Sequence, residues 1–264
     1  MTATLQAVVL AGSRLSGDPV ARHAGVSHKA LVPVAGRPMV ARVVDALKRC
    51  NRVGRIAVVI EDPTVLRTVP GIDAALDEGT VIGVESAATP SMSAAKAVAA
   101  LGDDYPVLLT TADHALLTTE MVDLFLDLSA VKDADVVAAL AAKETITAAY
   151  PGTVRTYLRF RDGRYSGCNL FFLATPASRN ALAFWRRVEE NRKSPWRIAG
   201  AIGLGTVFFY VLGALTLNGA LARLSRAMGA TGAAAIMPVA EAAIDVDKPA
   251  DLDLVEGIVE KRSG

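Results

Sequence analysis

Small and basic residues follow a short apolar segment near the N-terminus, and their spacing suits the binding of an anion. Residues 7–10 form an uninterrupted apolar run, which predicts a strand buried on both faces, as in a parallel sheet. Residues 11–13 come next, and their small side chains let the backbone N–H groups approach a ligand closely. Arg14 and Lys29 add positive charge to the same loop. We expect this loop to hold a phosphorylated ligand at the carboxyl end of the first strand.

An aspartate follows another predicted strand. Residues 107–110 are largely apolar and predict a buried strand, and Asp113 comes shortly after its carboxyl end. A carboxylate there suits Mg²⁺, which prefers oxygen ligands and often takes only one or two of them from protein. The alternative is that Asp113 caps the helix predicted over residues 118–128, although Thr118 is better placed to do so. We therefore favour Asp113 as a metal ligand.

Three segments of the chain resemble the signature of the nucleotidyltransferase superfamily, which includes sugar-phosphate nucleotidyltransferases and the molybdenum-cofactor type. The first is the N-terminal segment, with LAG at 10–12, Lys29, and LVPVAGRPM at 31–39. The second, TADHALL at 111–117, resembles the metal-binding motif of the molybdenum-cofactor branch. The third, IDVDKPADL at 244–252, strongly resembles the family's late motif, an Asp-x-Asp followed by x-Pro-x-Asp-Leu.

This resemblance implies an Mg²⁺-dependent nucleotidyltransferase, which moves a nucleoside monophosphate from an NTP to a small phosphorylated acceptor and releases pyrophosphate. It also implies that Asp113 and Asp247 bind the metal, with Asp245 as the reserve ligand. Lys29 and Arg14 would offset negative charge on the phosphates during catalysis. Alternatively, Asp247 only caps the last helix, because a proline at the first helical turn follows it closely.

The resemblance also suggests residues that contact the two substrates. The predicted nucleotide contacts are Leu10, Ala11, Gly12, Ser13, Ser91, Ser93 and Thr111. Relatives have a Gly/Ser-rich turn near the two later serines, but either serine could equally cap the alanine-rich helix that follows. Gly167 and Asn169 precede a strand predicted at residues 170–173, where relatives face the acceptor. The alternative for Asn169 is a turn residue that hydrogen-bonds to the backbone.

Strands alternate with helical segments along the chain, which predicts an α/β fold. The predicted strands include residues 7–10, 56–60, 80–84, 107–110 and 135–140. With the family resemblance, this predicts a Rossmann-like three-layer fold of the nucleotide-diphospho-sugar transferase type, a mostly parallel sheet with helices on both faces. Asp162 and Gly163 predict a hairpin turn. We expect a single domain over residues 1–264, with a helical insertion at 176–230 near the C-terminus.

The composition limits the partners and the compartment. The 264 residues carry a formal net charge of +1, so there is no broad basic field and nucleic acid is not an expected partner. Cys50 and Cys168 have no metal-site spacing and suggest no disulfide framework. The N-terminal residues carry no signal-peptide pattern. We therefore expect a protein of the reducing cytoplasm.

Residues 198–222 form a run of 25 residues without a formal charge. A single helix of this length would measure about 37 Å, enough to cross a bilayer. Several glycines interrupt the run, however, Thr216 is a candidate N-cap for a helix over residues 217–228, and a crossing would separate Asp113 from Asp247. We therefore expect helical pieces that cover the sheet or form an oligomer interface, for example in a homodimer. Peripheral membrane contact is the further alternative.

Two other functions fit the same residues. The first is a nucleotide-sugar-dependent glycosyltransferase of the related fold, but such enzymes place their Asp-x-Asp in mid-chain rather than near the end, as at Asp245 and Asp247 here. The second is a non-catalytic nucleotide sensor, which would bind nucleotide without releasing pyrophosphate. Nucleotidyl transfer is the interpretation that the order of the motifs favours.

Overall fold

A computed structural model describes residues 4–13, 17–191 and 194–263. The chain forms two compact units. The first comprises the described residues of Met1–Leu124 and Ile244–Gly264, and the second comprises those of Phe125–Ala243. A single domain over 1–264, with residues 176–230 as an insertion, stays a prediction.

Strands and helices alternate along both units, as the sequence predicted. The strands, in chain order, are β1 (Leu5–Leu10), β2 (Pro33–Val34), β3 (Arg37–Pro38), β4 (Val53–Ile60), β5 (Val81–Glu85), β6 (Val107–Thr111), β7 (Val136–Ala142), β8 (Leu158–Phe160), β9 (Gly163–Leu173) and β10 (Gly232–Met237). The helices are α1 (Pro19–His23), α2 (Met39–Arg49), α3 (Ile72–Asp77), α4 (Pro90–Ala100), α5 (Thr119–Ala130), α6 (Lys143–Ala149), α7 (Ser178–Glu190), α8 (Pro195–Ile202), α9 (Leu204–Val211), α10 (Leu217–Met228) and α11 (Pro249–Ser263).

Parallel strands form the centre of the first unit. β1 pairs in parallel with β4 on one side and with β6 on the other, and β5 pairs in parallel with β4. The register places Leu10 opposite both Val59 and Thr111, so the carboxyl ends of three strands lie at one level. Because these strands are covered on both faces, their apolar side chains are buried, as the continuous run in β1 predicted.

A short helix occupies the long interval between Gly12 and Lys29. α1 begins at Pro19, and Asp18 caps it, because its Oδ1 accepts from the N–H of Val20 at 2.8 Å and of Ala21 at 3.2 Å. Proline at the first helical position suits this start, since its missing N–H would have no partner there. Helix α1 therefore accounts for part of the long interval between Gly12 and Lys29.

The second unit contains both parallel and antiparallel pairs. β7 pairs in parallel with β10 and antiparallel with β9, and β8 pairs antiparallel with β9. The turn at Asp162 joins β8 to β9, which confirms the predicted hairpin. The predicted α/β fold, with a mostly parallel set of strands and helices around them, is confirmed.

The predicted strand at residues 170–173 begins earlier than expected, and the alternative of a turn at Asn169 is wrong. Gly167 and Asn169 lie inside β9, which runs from Gly163 to Leu173 and pairs with β7 on both sides of them. The pairing shifts register between Ala138 and Leu140, and Asn169 has a φ of 50° within this bulge. Asparagine tolerates the left-handed conformation, so the signal for a turn here marks a bulge in a continuous strand.

Glycines divide the long apolar run into separate helices. Gly203, with a φ of 97°, separates α8 from α9, and Gly213, with a φ of 66°, follows α9. Both conformations favour glycine, which has no Cβ to clash. Thr216 caps α10, as predicted, because its Oγ1 accepts from the N–H of Gly219 at 3.1 Å. Among the residues that the structure describes, no helix is long and apolar enough to span a bilayer.

We expect Thr216→Ala to destabilise the protein by about 1 kcal/mol, because the N–H of Gly219 would lose its acceptor. The midpoint of urea unfolding measures this loss. Thr216→Ser keeps the hydroxyl and is the matched control, with a midpoint close to that of the wild type. Equal midpoints for the alanine and serine variants would contradict the cap.

Candidate active site

A lysine holds two aspartates that are far apart in the sequence. The Nζ of Lys29 donates to the Oδ2 of Asp113 at 2.6 Å and to the Oδ1 of Asp247 at 3.1 Å. Lys29 and Asp113 are largely buried, whereas Asp247 is half-exposed. Three of the residues that the sequence indicates for phosphate and metal chemistry therefore meet at one point in the first unit.

Local structure positions each member of this cluster. Lys29 begins a single 3₁₀ turn after the N-terminal loop, and Asp113 lies in the turn after β6. Asp247 lies two residues before α11, and the N–H of the neighbouring Val246 donates to the backbone oxygen of Asp113 at 3.1 Å. This backbone bond fixes the late motif beside the strand end that carries Asp113.

The electrostatics of the cluster favour the charged form of Lys29. Burial by itself lowers the pKa of Lys29, but Asp113 and Asp247 oppose this, and the net effect is a pKa above the ordinary value of 10.5. The lysine therefore stays protonated at neutral pH. The buried position is tolerated because the ammonium has two carboxylate partners.

The carboxylate pair suits a divalent cation. The Oδ1 of Asp113 is buried and accepts no hydrogen bond from any of the described residues. Such an oxygen normally has a partner, so it marks an acceptor site that a ligand can fill. The two carboxylates already hold one cation, the ammonium of Lys29, and Mg²⁺ commonly uses one or two carboxylates together with substrate phosphates. Asp113 and Asp247 therefore fit the predicted metal.

Asp251, in the first turn of α11, holds the backbone just before the helix. The Oδ2 of Asp251 accepts from the N–H of Asp247 at 3.1 Å and from the N–H of Lys248 at 3.0 Å. The Oδ1 of Asp247 is directed to Lys29. The alternative role of Asp247 as the cap of α11 stays a prediction.

The glycine-containing loop after β1 lies against a glutamate at the end of β4. The N–H of Ser13 donates to the Oε1 of Glu61, and a Cβ at Gly12 would lie 3.3 Å from that oxygen. The Oγ of Ser13 accepts from the N–H of Lys29 at 3.1 Å, which ties the loop to the lysine turn. Ser13 was expected to direct its N–H to a phosphate, and here the carboxylate of Glu61 accepts from that group.

A cavity of about 170 Å³ lies at the carboxyl ends of β1, β4 and β5. Its lining residues are Leu10, Gly12, Ser13, Val59, Glu61, Ser86, Ala87, Ala88, Thr89, Pro90 and Ser93. The structure thus brings Ser93 to the same cavity as the N-terminal loop. The cavity lies where ligands bind in open parallel sheets, at the edge formed by the strand ends.

The N-cap of α4 is a threonine and neither of the two serines that the sequence offered for this role. Thr89 is the N-cap of α4, because its Oγ1 accepts from the N–H of Met92 at 3.3 Å. Ser91 is buried, with its Oγ 3.0 Å from that of Thr89, and the Oγ of Ser93 accepts from the N–H of Ala87 at 2.9 Å. The cap predicted at Ser91 or Ser93 is wrong, and the Thr89–Pro90 pair was the available signal.

The other predicted site residues differ in what the structure shows of them. Thr111 ends β6 beside Leu10, and its buried hydroxyl has no hydrogen-bond partner within the described residues. Gly167 and Asn169 lie on β9 of the second unit, so their contact with an acceptor stays a prediction. Arg14 lies outside the described residues.

Glu61 and the turn at 86–89 are the cavity residues that sequence reasoning missed. Glu61 comes directly after a buried strand, at the edge where ligands bind, so its position carried the same signal as Asp113. No motif that the sequence shares with the family contains Glu61. Ser86 follows β5 in the same way.

Comparison with known proteins shows the family. Residues 7–195 match the model of the MobA-like NTP transferase domain, whereas a search of curated proteins found no match. A hypothetical transferase from Thermus thermophilus is 32% identical, with a TM-score of 0.77, and the alignment covers 94% of this chain and 99% of that one.

Two solved enzymes share the fold at low sequence identity. A CMP:2-keto-3-deoxy-manno-octonic acid synthetase, solved with CTP, is 13% identical with a TM-score of 0.55, over 99% of this chain and all of that one. A 4-diphosphocytidyl-2C-methyl-D-erythritol synthase from Anaerococcus prevotii is 13% identical with a TM-score of 0.57, over 98% and 96% of the chains. With the match over most of its length and the clustered signature residues, the chain belongs to the family of MobA-like NTP transferase domains and is an enzyme of the nucleotidyltransferase type.

Proposed function

We propose that the protein transfers a nucleoside monophosphate from an NTP to a small phosphorylated acceptor and releases pyrophosphate. The observation that carries this proposal is the cluster in which Lys29 joins Asp113 to Asp247. It brings a cation and two carboxylates to the strand ends beside a cavity large enough to take part of a nucleotide. This is the set of charges that phosphoryl-group chemistry requires.

The reaction needs positioning and charge neutralisation more than covalent chemistry by the protein. A phosphate oxygen of the acceptor attacks the α-phosphorus, and the bond between that phosphorus and the oxygen bridging to the β-phosphate breaks. Pyrophosphate leaves with the electron pair of that bond. Lys29 offsets negative charge on the α-phosphate and the leaving group, and Arg14 is proposed to assist it. The N–H of Gly12 is proposed to bind a phosphate oxygen, and the N–H of Ser13 would do so only by exchanging its bond to Glu61.

Asp113 and Asp247 would hold Mg²⁺, which when bound would supply positive charge that neutralises part of the negative charge on the phosphates. The buried, unpaired Oδ1 of Asp113 supports this assignment among the described residues, and Asp245 remains the reserve ligand. The two bonds from the ammonium of Lys29 to this pair of carboxylates support the proposal, because they place positive charge where the metal would lie.

We propose that the nucleotide base occupies the cavity between the loop after β1 and the start of α4. Leu10, Ala11, Ser91, Ser93 and Thr111 stay proposed nucleotide contacts, directly or through the backbone. Glu61 adds a carboxylate whose Oε2 is buried without a hydrogen-bond partner in the part of the chain described. An acceptor of this kind favours bases that present N–H donors, above all an exocyclic amino group.

The acceptor is proposed to be a small phosphorylated compound, with Gly167 and Asn169 as its contacts. Homodimer formation and a cytoplasmic location stay predictions. Neither Cys50 nor Cys168 forms a disulfide, as expected from their spacing.

Pyrophosphate release tests the function directly. The purified protein is incubated with Mg²⁺, each of the four NTPs singly, and pools of sugar, polyol and small-alcohol phosphates. Release that depends on one NTP and one pool supports nucleotidyl transfer. Nucleotide binding in a thermal-shift assay, without release from any combination, would instead favour a sensor.

Lys29→Ala and Asp113→Asn should each lower kcat by on the order of 10²–10³ or more, because each removes a charge that acts on the phosphates. Steady-state pyrophosphate release measures the effect. Asp77→Asn, which alters an exposed carboxylate of the same unit, is the matched control and should retain wild-type activity. Wild-type kcat in Asp113→Asn would contradict the assigned role.

The raised pKa of Lys29 makes its contribution to stability depend on pH. The folded protein binds this proton more tightly than the unfolded chain, so the stabilisation is complete below pH 10.5 and is lost as pH rises through the folded pKa. We therefore expect Lys29→Met to lower the free energy of unfolding at pH 7, and the deficit to shrink above pH 10.5. Denaturant unfolding at pH 7 and at a pH above 10.5 measures the difference in free energy of unfolding between the variant and the wild type. Lys132→Met, which removes an exposed lysine, is the control. A deficit independent of pH would contradict the ion pairs.

Glu61→Gln should change the preference among the NTPs by about tenfold, because an amide accepts hydrogen bonds less strongly than a carboxylate and also donates them. Values of kcat/KM for the four NTPs, measured with one acceptor, report the change. Glu85→Gln removes an exposed carboxylate from the end of neighbouring β5 and should leave the ranking unaltered. The same ranking in both variants would argue against contact between Glu61 and the base.

A further inference from the structure

Helix α9 presents apolar side chains to solvent along one face. Leu204, Phe208, Val211 and Leu212 follow the spacing i, i+4, i+7 and i+8, and each is between 60% and 77% exposed. We call these four residues the apolar stripe of α9. A surface helix normally turns such a stripe toward the core. Trp196 of α8, which is 82% exposed, and Phe209 extend the apolar surface.

This surface is a local concentration rather than a scatter of exposed residues. Of the ten large hydrophobic residues found exposed in the described chain, six lie between residues 196 and 212. Single exposed hydrophobic side chains are ordinary, but a contiguous group of this kind marks an interaction site.

Contacts on the opposite side of α9 fix its orientation. The hydroxyl of Tyr210 accepts from the N–H of Arg159 at 3.2 Å, and its ring meets that of Phe160 edge-on, with 5.8 Å between centroids. Thr206, one turn earlier on the same side, is buried. Thr206 and Tyr210 therefore attach α9 to the rest of the second unit, and the apolar stripe faces solvent.

The segment of sequence that contains the surface carries charges of one sign. Residues 191–240 contain no aspartate or glutamate, and they include five cations, which are Arg192, Lys193, Arg197, Arg223 and Arg226. The guanidinium of Arg223 lies over the ring of Phe209, 4.9 Å from its centroid, so cationic and apolar groups are in contact. A surface of this composition is complementary to an apolar layer bordered by negative charge.

We propose that α8 and α9 bind the surface of an anionic lipid membrane. The apolar stripe and Trp196 enter the boundary between headgroups and acyl chains, and Arg197, Arg223 and Arg226 contact the lipid phosphates. A second copy of the chain is a poorer partner, because pairing through this surface would bring two cationic segments together. The interaction goes beyond nucleotidyl transfer and is measurable without it.

Flotation with lipid vesicles tests the proposal on the full-length protein. Vesicles of phosphatidylcholine alone are compared with vesicles of equal parts phosphatidylcholine and phosphatidylglycerol. We expect the protein to float with the anionic vesicles only, and the bound fraction to fall as salt is added, because salt screens the arginines.

In a Trp185→Phe variant, Trp196 is the remaining tryptophan, and its emission should shift to shorter wavelength on binding.

A matched pair of variants separates the surface from general hydrophobicity. Phe208→Ser with Leu212→Ser should lower binding to anionic vesicles by about tenfold or more, since two large side chains leave the interface. Val131→Ser with Val154→Ser removes two hydrophobic residues of even greater exposure elsewhere in the second unit and should bind like the wild type. Thermal unfolding shows whether both variants fold, and Arg197→Glu with Arg226→Glu gives an independent test by charge reversal.

Three results would overturn the proposal. The first is a wild type that does not float with anionic vesicles, and the second is a Phe208/Leu212 variant that binds them as well as the Val131/Val154 variant. The third is a dimer, seen by sedimentation velocity, that the Phe208/Leu212 change dissociates, together with no binding to vesicles. A second copy of the chain would then be the partner that covers the apolar stripe. Loss of pyrophosphate release in the wild type would bear on the proposed function alone.

Discussion

The bond of one buried ammonium to two carboxylates organises the first unit of this protein. Lys29, Asp113 and Asp247 come from the start, the middle and the end of the chain, and each would be unfavourable if it were buried without the others. The backbone bond from Val246 to Asp113 and the hydroxyl of Ser13 on the N–H of Lys29 hold these segments in register. The same contacts that satisfy buried charge therefore assemble the chemistry of the site.

Parallel strands explain why this assembly lies at one edge. The pairing of β1 with β4 and β6 places Leu10, Val59 and Thr111 at one level, and the loops that follow must emerge together. The cavity there is lined largely by small residues that follow these strands, among them Gly12, Ser13 and Ala87. Glu61 enters the same edge, so the site combines a carboxylate near the cavity with the cationic loop.

The overall charge conceals an uneven distribution. The formal net charge of +1 excludes a broad basic field, but the five cations of residues 191–240 stand without any acidic residue among them. The tyrosine and threonine contacts on one side of α9 leave its apolar side in solvent, next to those cations. Local composition is therefore a better guide than net charge to what this part of the second unit can bind.

The sequence by itself determined the strands and helices with strong periodicity, the nucleotidyltransferase signature, the hairpin at Asp162 and the cap at Thr216. These features depend on a few neighbouring residues, so a linear pattern contains them. Only the tertiary structure decided that Asn169 lies in a strand bulge, because the pairing with β7 overrides the local preference for a turn. It alone showed Glu61 at the cavity and the outward direction of the apolar stripe. Both depend on which distant segments pack together, and no local pattern records that.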